Sequence, residues 1–143
     1  MKKLFMLILM LLPAALPAHK VYIKEMPAII AEADLVMTAK VTKAVTKRGT
    51  CETDYIYLLS PDRVLKGSCD GSGIPFYYTV HFWDEEKGCP SVHYILPPVP
   101  RTVAQGQTVI AAFKKDTGAG SGLWGTGMFE IGELDAVMKL LKK

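Results

Sequence analysis

Alternating apolar and polar side chains mark two segments of the chain as strands. Positions 35–42 (LVMTAKVT) carry apolar residues at every second position, the period of a strand with one buried face. Positions 74–83 (IPFYYTVHFW) alternate in the same way, with Phe76 on one face and Tyr77, His81 and Trp83 on the other. Further strands are predicted at Thr53–Lys66, Val92–Leu96, Gln107–Phe113 and Met128–Ile131.

Helix and turn signals surround these strands. Glu25–Ala33 has Pro27 near its start and apolar residues along one side, which predicts a short amphipathic helix, and Leu134–Leu141 has the apolar spacing of a second. Segments 67–73 (GSCDGSG) and 118–127 are rich in glycine and predict a turn and a loop. Five or six short strands with two small helices predict a mainly β fold, either a closed or nearly closed barrel or, alternatively, a two-layer β sandwich.

Residues 1–18 have the three-part pattern of a secretory signal peptide. Two lysines follow Met1, positions 4–12 are an unbroken apolar run, and positions 13–18 (PAALPA) end it with prolines and small residues. A membrane-spanning helix needs roughly 20 apolar residues, and Pro13 interrupts this run well before that. We therefore expect cleavage between Ala18 and His19, one domain at residues 19–143, a periplasmic or secreted location, and no stable membrane insertion.

The charge of the chain argues against a nucleic-acid partner. The 143 residues have a formal net charge of +3, and cleavage at Ala18 would remove two of the lysines. Nucleic-acid binding needs a basic patch, because contacts from Lys and Arg to phosphate supply much of the affinity. The partner expected for an exported domain of this kind is a protein or another component of the cell envelope.

The three cysteines predict one disulfide in an oxidising compartment. Thr53–Lys66 and the strand after it are expected to form an antiparallel hairpin around Asp70, in which Cys51 and Cys89 lie opposite each other. Cys69 lies at the other end of that hairpin, much farther than the roughly 7 Å between α-carbons that a disulfide tolerates. The predicted pair is therefore Cys51 with Cys89, and Cys69 is left free.

Pro61 lies in the middle of the long strand Thr53–Lys66. Proline has no backbone N–H to donate to a neighbouring strand. The strand is therefore expected either to be an edge of the sheet at Pro61 or to be broken there by a bulge.

Three short segments resemble a known module. They are 31–41 (AEADLVMTAKV), 63–67 (RVLKG) and 106–111 (GQTVIA), and they follow one another within residues 28–113. They are similar to the netrin-like OB-fold module, found in tissue inhibitors of metalloproteinases and in small bacterial secreted proteins. The resemblance implies an OB-like barrel and, as one alternative function, protease inhibition. Those inhibitors bind the protease zinc through an N-terminal cysteine, whereas the expected mature chain begins at His19, so no functional residue is transferred.

No pattern in the sequence matches a catalytic motif, and a non-enzymatic protein is predicted. No serine lies in a Gly-x-Ser-x-Gly elbow, and segment 118–122 lacks the Lys-Ser/Thr of a phosphate-binding loop. The outward aromatic face of positions 74–83 is the predicted site for a protein or envelope partner. Its candidate binding residues are Tyr77, His81 and Trp83.

The histidines suggest one alternative function. Cleavage before His19 would leave a free amine and an imidazole on one residue, a pair of nitrogen ligands for a metal. An imidazole from His81 or His93 would complete a site suited to copper. The alternative prediction is therefore a small copper-binding protein with His19, His81 and His93 as ligands.

Overall fold

Seven strands and two helices form in residues 20–116 and 122–143, the parts of the chain that the computed structural model describes. In chain order they are β1 (Lys20–Tyr22), α1 (Met26–Glu32), β2 (Leu35–Arg48), β3 (Glu52–Lys66), β4 (Ile74–His81), β5 (His93–Ile95), β6 (Thr108–Lys115), β7 (Leu123–Glu130) and α2 (Leu134–Leu141). A single 3-10 turn, Ile131–Glu133, leads into α2. The predicted mainly β class and both predicted helices are confirmed.

Five of the strands form one antiparallel sheet in the order β4-β3-β2-β6-β7. Strands β2, β3 and β4 follow one another, and β6 returns beside β2, which is the Greek-key arrangement. Strands β1 and β5 form a separate parallel pair. Strand β1 was not expected from the sequence, because three residues are too few to show a period.

The large sheet curls so that its two edge strands approach each other. The outer strands of a flat five-stranded sheet would lie about 19 Å apart at 4.8 Å per strand. Here α-carbons of β4 and β7 come within 8 Å of each other. Within the described residues the two edges form no β-ladder, so of the closed or nearly closed barrel predicted from the sequence, the closed form is not found. We call the gap between the facing edges of β4 and β7 the seam.

Two hydrophobic clusters lie on opposite faces of the sheet. Alternate residues of β2 and β6, with Phe76 and Met128, fill the inner cluster. The other residues of the same two strands pack against α1 and α2 through Ile29, Ile30 and Val137. The first half of β2 is consequently buried on both faces, where the sequence indicated only one buried face. Thr38, expected on the polar face, is 4% exposed.

Pro61 satisfies both structural options that the sequence left open. Pro61 pairs with Ala39 of β2, next to a shift in register. The pairing of β3 with β4 ends at Leu59, so β3 is an edge of the sheet at Pro61. Asp62 lies at the irregularity, where Thr38 Oγ1 donates to its carboxylate at 3.4 Å. The missing N–H is therefore harmless to the sheet.

The predicted disulfide is present, but the register used to predict it was wrong. A hairpin centred on Asp70 would place Glu52 opposite Gly88, whereas Glu52 faces His81. Cys89 reaches Cys51 because the chain turns back on itself after β4, with Asp84 and Cys89 paired by two backbone hydrogen bonds. The α-carbons of Cys51 and Cys89 lie 5.2 Å apart. Cys69 is free and half-buried beside the inner cluster.

Strand β7 is longer than the sequence indicated. It covers Leu123–Glu130, whereas only Met128–Ile131 was expected to be a strand. Gly125 and Gly127 gave this segment the composition of a loop, yet both lie where a larger side chain would collide with the core. The expected glycine-rich loop is thus partly strand, and residues 117–121 lie outside the described chain.

Candidate functional site

A cavity of about 360 Å³ opens at the seam. Its walls come from β4, β7, β5 and the second half of α1, with Lys24 and Lys114 at its rim. We call it the seam cavity. Its volume lies at the small end of the roughly 300–1,000 Å³ that small-molecule pockets occupy. Most of the lining is aromatic or aliphatic, which is typical of a site that removes a ligand from water.

The β4 wall exists because side chains alternate along that strand. Phe76 points to the inner cluster and is fully buried, whereas Tyr77 is 54% exposed. Thr79 and His81 follow on the same face as Tyr77, and all three line the seam cavity. An exposed tyrosine beside a half-buried threonine and histidine gives this wall both a flat apolar surface and polar ends.

A carboxylate fixes the polar part of the β4 wall. Asp54 of β3 is the partner of Thr79 across the strand pair. Its Oδ1 lies 2.7 Å from Thr79 Oγ1 and 3.1 Å from the Tyr77 hydroxyl, and those two hydroxyl oxygens are 2.9 Å apart. The Tyr77 ring is therefore held in place at the mouth of the cavity before any ligand binds.

The backbone of β4 also faces the seam. Phe82 N–H donates to Cys51 C=O at 2.8 Å, and from there the register of β3 with β4 continues without a bulge. Alternate residues of an antiparallel pair direct their backbone groups at the partner strand, so residues 80 and 78 bond to β3. The N–H and C=O groups of Tyr77 and Thr79 consequently point away from β3 and into the seam.

Farther along this edge, the backbone groups of His81 are hydrogen-bonded to the side chain of Tyr94. His81 N–H donates to the Tyr94 hydroxyl oxygen at 3.2 Å, and the Tyr94 hydroxyl lies 3.5 Å from His81 C=O. The two rings are in edge-to-face contact, with centroids 4.7 Å apart. On its other side His81 Nδ1 lies 3.6 Å from a carboxylate oxygen of Glu52. His81 thus contacts the hydroxyl and the ring of Tyr94 and the carboxylate of Glu52.

The β7 wall carries a tryptophan that sequence reasoning missed. Trp124 is 53% exposed and lines the seam cavity. The next residue, Gly125, lies against the Phe76 ring so closely that a Cβ there would overlap ring atoms. The signal available in the sequence was the apolar pair Leu123 and Trp124, of which tryptophan is favoured in strands, but the surrounding glycines made this segment resemble a loop.

Charged groups stand at the rim beside α1. Lys24 Nζ donates to Glu32 Oε2 at 2.8 Å. This hydrogen bond and the positive charge of Lys24 lower the pKa of Glu32, and the more distant Lys114 acts in the same direction. No salt bridge to Lys114 occurs in residues 20–116 or 122–143. Lys114 therefore offers a positive charge to a ligand at this rim.

Three tyrosines pack together at β3 and β4, and one of them, Tyr78, also lines the seam cavity. Tyr55 and Tyr78 are stacked, with ring centroids 4.8 Å apart, and Tyr57 lies 6.2 Å from Tyr78. Burial, together with a hydrogen bond to Tyr57, raises the pKa of Tyr78 above its ordinary range. The Tyr78 hydroxyl thus remains protonated at neutral pH.

The structure brings together two of the three residues predicted to form a binding face. Tyr77 and His81 line the seam cavity, whereas Trp83 lies beyond the end of β4, 44% exposed and outside the lining. Of the expected copper ligands, His93 lies in β5 opposite Lys20, and His19 lies outside the described residues. Among the residues described, no group of three His, Cys, Asp or Glu side chains is arranged to hold a metal.

Comparison with known proteins gives no family assignment: the sequence matches no protein-family model and no curated protein. Neither helix in the described parts of the chain is long and apolar enough to cross a bilayer. Function is therefore inferred from the geometry of the seam cavity.

Proposed function

We propose that this protein is an exported, non-enzymatic binding module that holds part of a protein or envelope ligand in the seam cavity. The observation that carries the proposal is the cavity itself, with exposed aromatic side chains on both walls. Tyr77 on β4 and Trp124 on β7 are each more than half exposed, although both flank an apolar hollow. Exposed aromatic residues beside such a hollow are typical of a surface that buries a ligand.

The strand order supports assigning the open barrel to the OB type, as the netrin-like resemblance implies. A five-stranded, partly open Greek-key barrel is the description of an OB fold. The curled sheet has five strands in Greek-key order with one seam. OB folds bind ligands on their second and third strands, which correspond to β3 and β4 when β2 is counted first. Fold alone does not choose the ligand.

The disulfide supports export. Disulfides persist in oxidising compartments such as the periplasm and the exterior of the cell. The bond between Cys51 and Cys89 joins the turn before β3 to the segment after β4, beside the His81 end of the cavity wall. An oxidising compartment would therefore help to hold the β4 wall in place.

The two tryptophans provide a matched test of the site. Trp124 lines the seam cavity and Trp83 does not, although their exposures are similar at 53% and 44%. Their indole N–H signals in a ¹H–¹⁵N spectrum are assigned with the variants Trp83→Phe and Trp124→Phe. The protein is then titrated with p-cresol, N-acetyl-tyrosinamide and N-acetylglucosamine, as aromatic, peptide-like and sugar probes.

We expect at least one probe to shift the Trp124 signal in a saturable manner while the Trp83 signal stays in place. Tyr77→Ala should weaken that binding about tenfold, because one aromatic contact contributes roughly 1–1.5 kcal/mol. The proposal is wrong if no probe moves the Trp124 signal, or if the signals of both tryptophans move in parallel.

A further inference from the structure

We infer that the ligand of the seam cavity is a short extended peptide segment that pairs with the free edge of β4 at Tyr77 and Thr79. This inference rests on the proposed function and specifies its ligand. The segment would place an apolar or aromatic side chain between Tyr77 and Trp124, and an acidic side chain near Lys114.

The first support is the unused bonding capacity of the β4 edge. The N–H and C=O groups of Tyr77 and Thr79 point into the seam, and no hydrogen bond from another described residue reaches them. An amide backbone in extended form supplies complementary donors and acceptors at the same spacing. A sugar or an aromatic molecule has no such repeat.

The second support is that both ends of this free edge are blocked. Pro75 precedes it and has no N–H to offer. His81 follows it, and the Tyr94 hydroxyl already occupies both backbone groups of His81. Proteins usually protect exposed strand edges in such ways. Here Pro75 and His81 are protected, whereas Tyr77 and Thr79 between them are not. This leaves a short free edge beside the cavity.

The length of that edge sets the length of the ligand. A peptide that bonds to both Tyr77 and Thr79 needs about three extended residues, or roughly 10 Å at 3.3 Å per residue. At Phe76 the two walls are already in contact, because Gly125 of β7 lies against the Phe76 ring, so the edge open to a peptide does not extend along the whole of β4. The structure therefore favours a short segment over a complete added strand.

Charge complementarity supports the acidic residue. Lys24 is paired with Glu32 at the rim, whereas Lys114 makes no salt bridge in the described parts of the chain. Lys114 is a half-buried cavity residue, so an ion pair formed there is screened less than one in open water.

The test uses a library of acetylated, amidated pentapeptides with Glu fixed at either end and Val, Ile, Thr, Tyr or Leu elsewhere. Binding to the intact, disulfide-bonded protein is followed by ¹H–¹⁵N spectra and by hydrogen exchange of the Tyr77 and Thr79 amides. The best peptide is remade in three forms. One carries N-methyl groups on its odd-numbered residues, one carries them on its even-numbered residues, and one has Gln in place of Glu.

We expect a saturating peptide to slow exchange of both amides at least tenfold. Only one of the two N-methylated peptides should bind tenfold or more weakly, because only alternate N–H groups of an extended peptide face β4. Replacement of Glu by Gln should weaken binding about threefold. If the peptides fail while p-cresol or N-acetylglucosamine still shifts the Trp124 signal, the proposed function stands and the peptide inference is overturned. If neither peptides nor small probes bind, both are overturned.

A protein variant tests the same contact from the other side. Thr79→Pro removes the N–H that faces the seam and no backbone hydrogen bond to β3, but it also removes the bond from Thr79 Oγ1 to Asp54. Thr79→Val, which loses only the bonds of that hydroxyl, is therefore its control. We expect this variant to lose peptide binding at least tenfold while its near-ultraviolet circular dichroism stays that of a folded protein. Undiminished binding by a folded Thr79→Pro variant would contradict pairing at this edge. If the variant does not fold, the N-methylated peptides decide the question on the natural chain.

Discussion

At the scale of single residues, Gly125 and Phe76 determine how nearly the sheet closes. Phe76 is fully buried, and its ring occupies the space that a side chain at position 125 would need. The two edge strands can approach at this point because β7 has no side chain there. Thr79, farther along β4, lines the seam cavity.

Tyr78 makes the stability of the folded protein depend on pH. Burial, first, and the hydrogen bond with Tyr57 raise the pKa of Tyr78 in the folded protein, whereas an unfolded tyrosine titrates near about pH 10. Above that pH the unfolded chain releases a proton that the folded chain retains. The stabilising contribution of Tyr78 is therefore complete below about pH 10 and is lost as the pH rises further.

We expect the free energy of unfolding to fall between about pH 10 and 11, and to fall less steeply in Tyr78→Phe, which has no proton to release. Urea unfolding of the natural protein and of the variant at about pH 9, 10 and 11 measures both slopes. Tyr22→Phe, which changes an exposed tyrosine of β1, is the matched control. Equal slopes for Tyr78→Phe and the natural protein would show that Tyr78 is not the group responsible.

At the scale of elements, the sequence was informative where a period ran for several residues. The strands β3, β4 and β6 and both helices were predicted close to their observed bounds, whereas β2 continues to Arg48 instead of ending at Thr42. The start of β7 was missed because Gly125 and Gly127 suit a loop when considered alone. Their tertiary role, to admit Phe76 and Ile29, becomes visible only once the sheet has curled. Trp124 was lost from the candidate site for the same reason.

Tyr94 shows how one element protects the edge of another. Its hydroxyl bonds to the N–H and C=O of His81, and so takes the place of a neighbouring strand. We expect Tyr94→Phe to accelerate hydrogen exchange of the His81 amide at least tenfold. The expected loss in free energy of unfolding is about 0.5–1.5 kcal/mol, the usual value of a hydrogen bond of this kind.

Exchange measured by ¹H–¹⁵N spectra checks this expectation, and the Phe82 amide is the internal reference, because its bond to Cys51 C=O does not involve Tyr94. A His81 amide that exchanges equally slowly in both proteins would mean that something other than the Tyr94 hydroxyl protects it.

At the scale of the whole molecule, the disulfide illustrates the limits of reading long-range contacts from sequence. The pair Cys51 and Cys89 was predicted correctly from an incorrect register. The hairpin was assumed to be symmetrical about Asp70, whereas the second half of β3 pairs with β2 alone and leaves β4 behind. The return of the chain between Asp84 and Cys89 compensates for that shift. A pairing of this kind depends on two non-local features that no short pattern encodes.

The disulfide joins two segments that are 38 residues apart, and this separation sets its expected contribution to stability. Constraining a loop of that length in the unfolded chain is worth about 3–4 kcal/mol in the chain-entropy model. We expect the double variant Cys51→Ala, Cys89→Ala to lose about that much free energy of unfolding in urea. Cys69→Ala, which removes the free and half-buried cysteine, should cost less, because it breaks no cross-link.

The double variant Cys51→Ala, Cys89→Ala also shows whether the disulfide acts on the unfolded chain or on the folded structure near β4. The cross-link holds the segment after β4, which contains Trp83, whereas Trp124 lies on the other wall of the seam. If the bond acts mainly on the unfolded chain, the folded variant should retain the indole signals of both tryptophans. A shift of the Trp83 signal alone would mean that the bond also fixes the end of β4 in the folded state. A loss below about 1 kcal/mol would contradict the entropic account, because closing a loop of this length should contribute more.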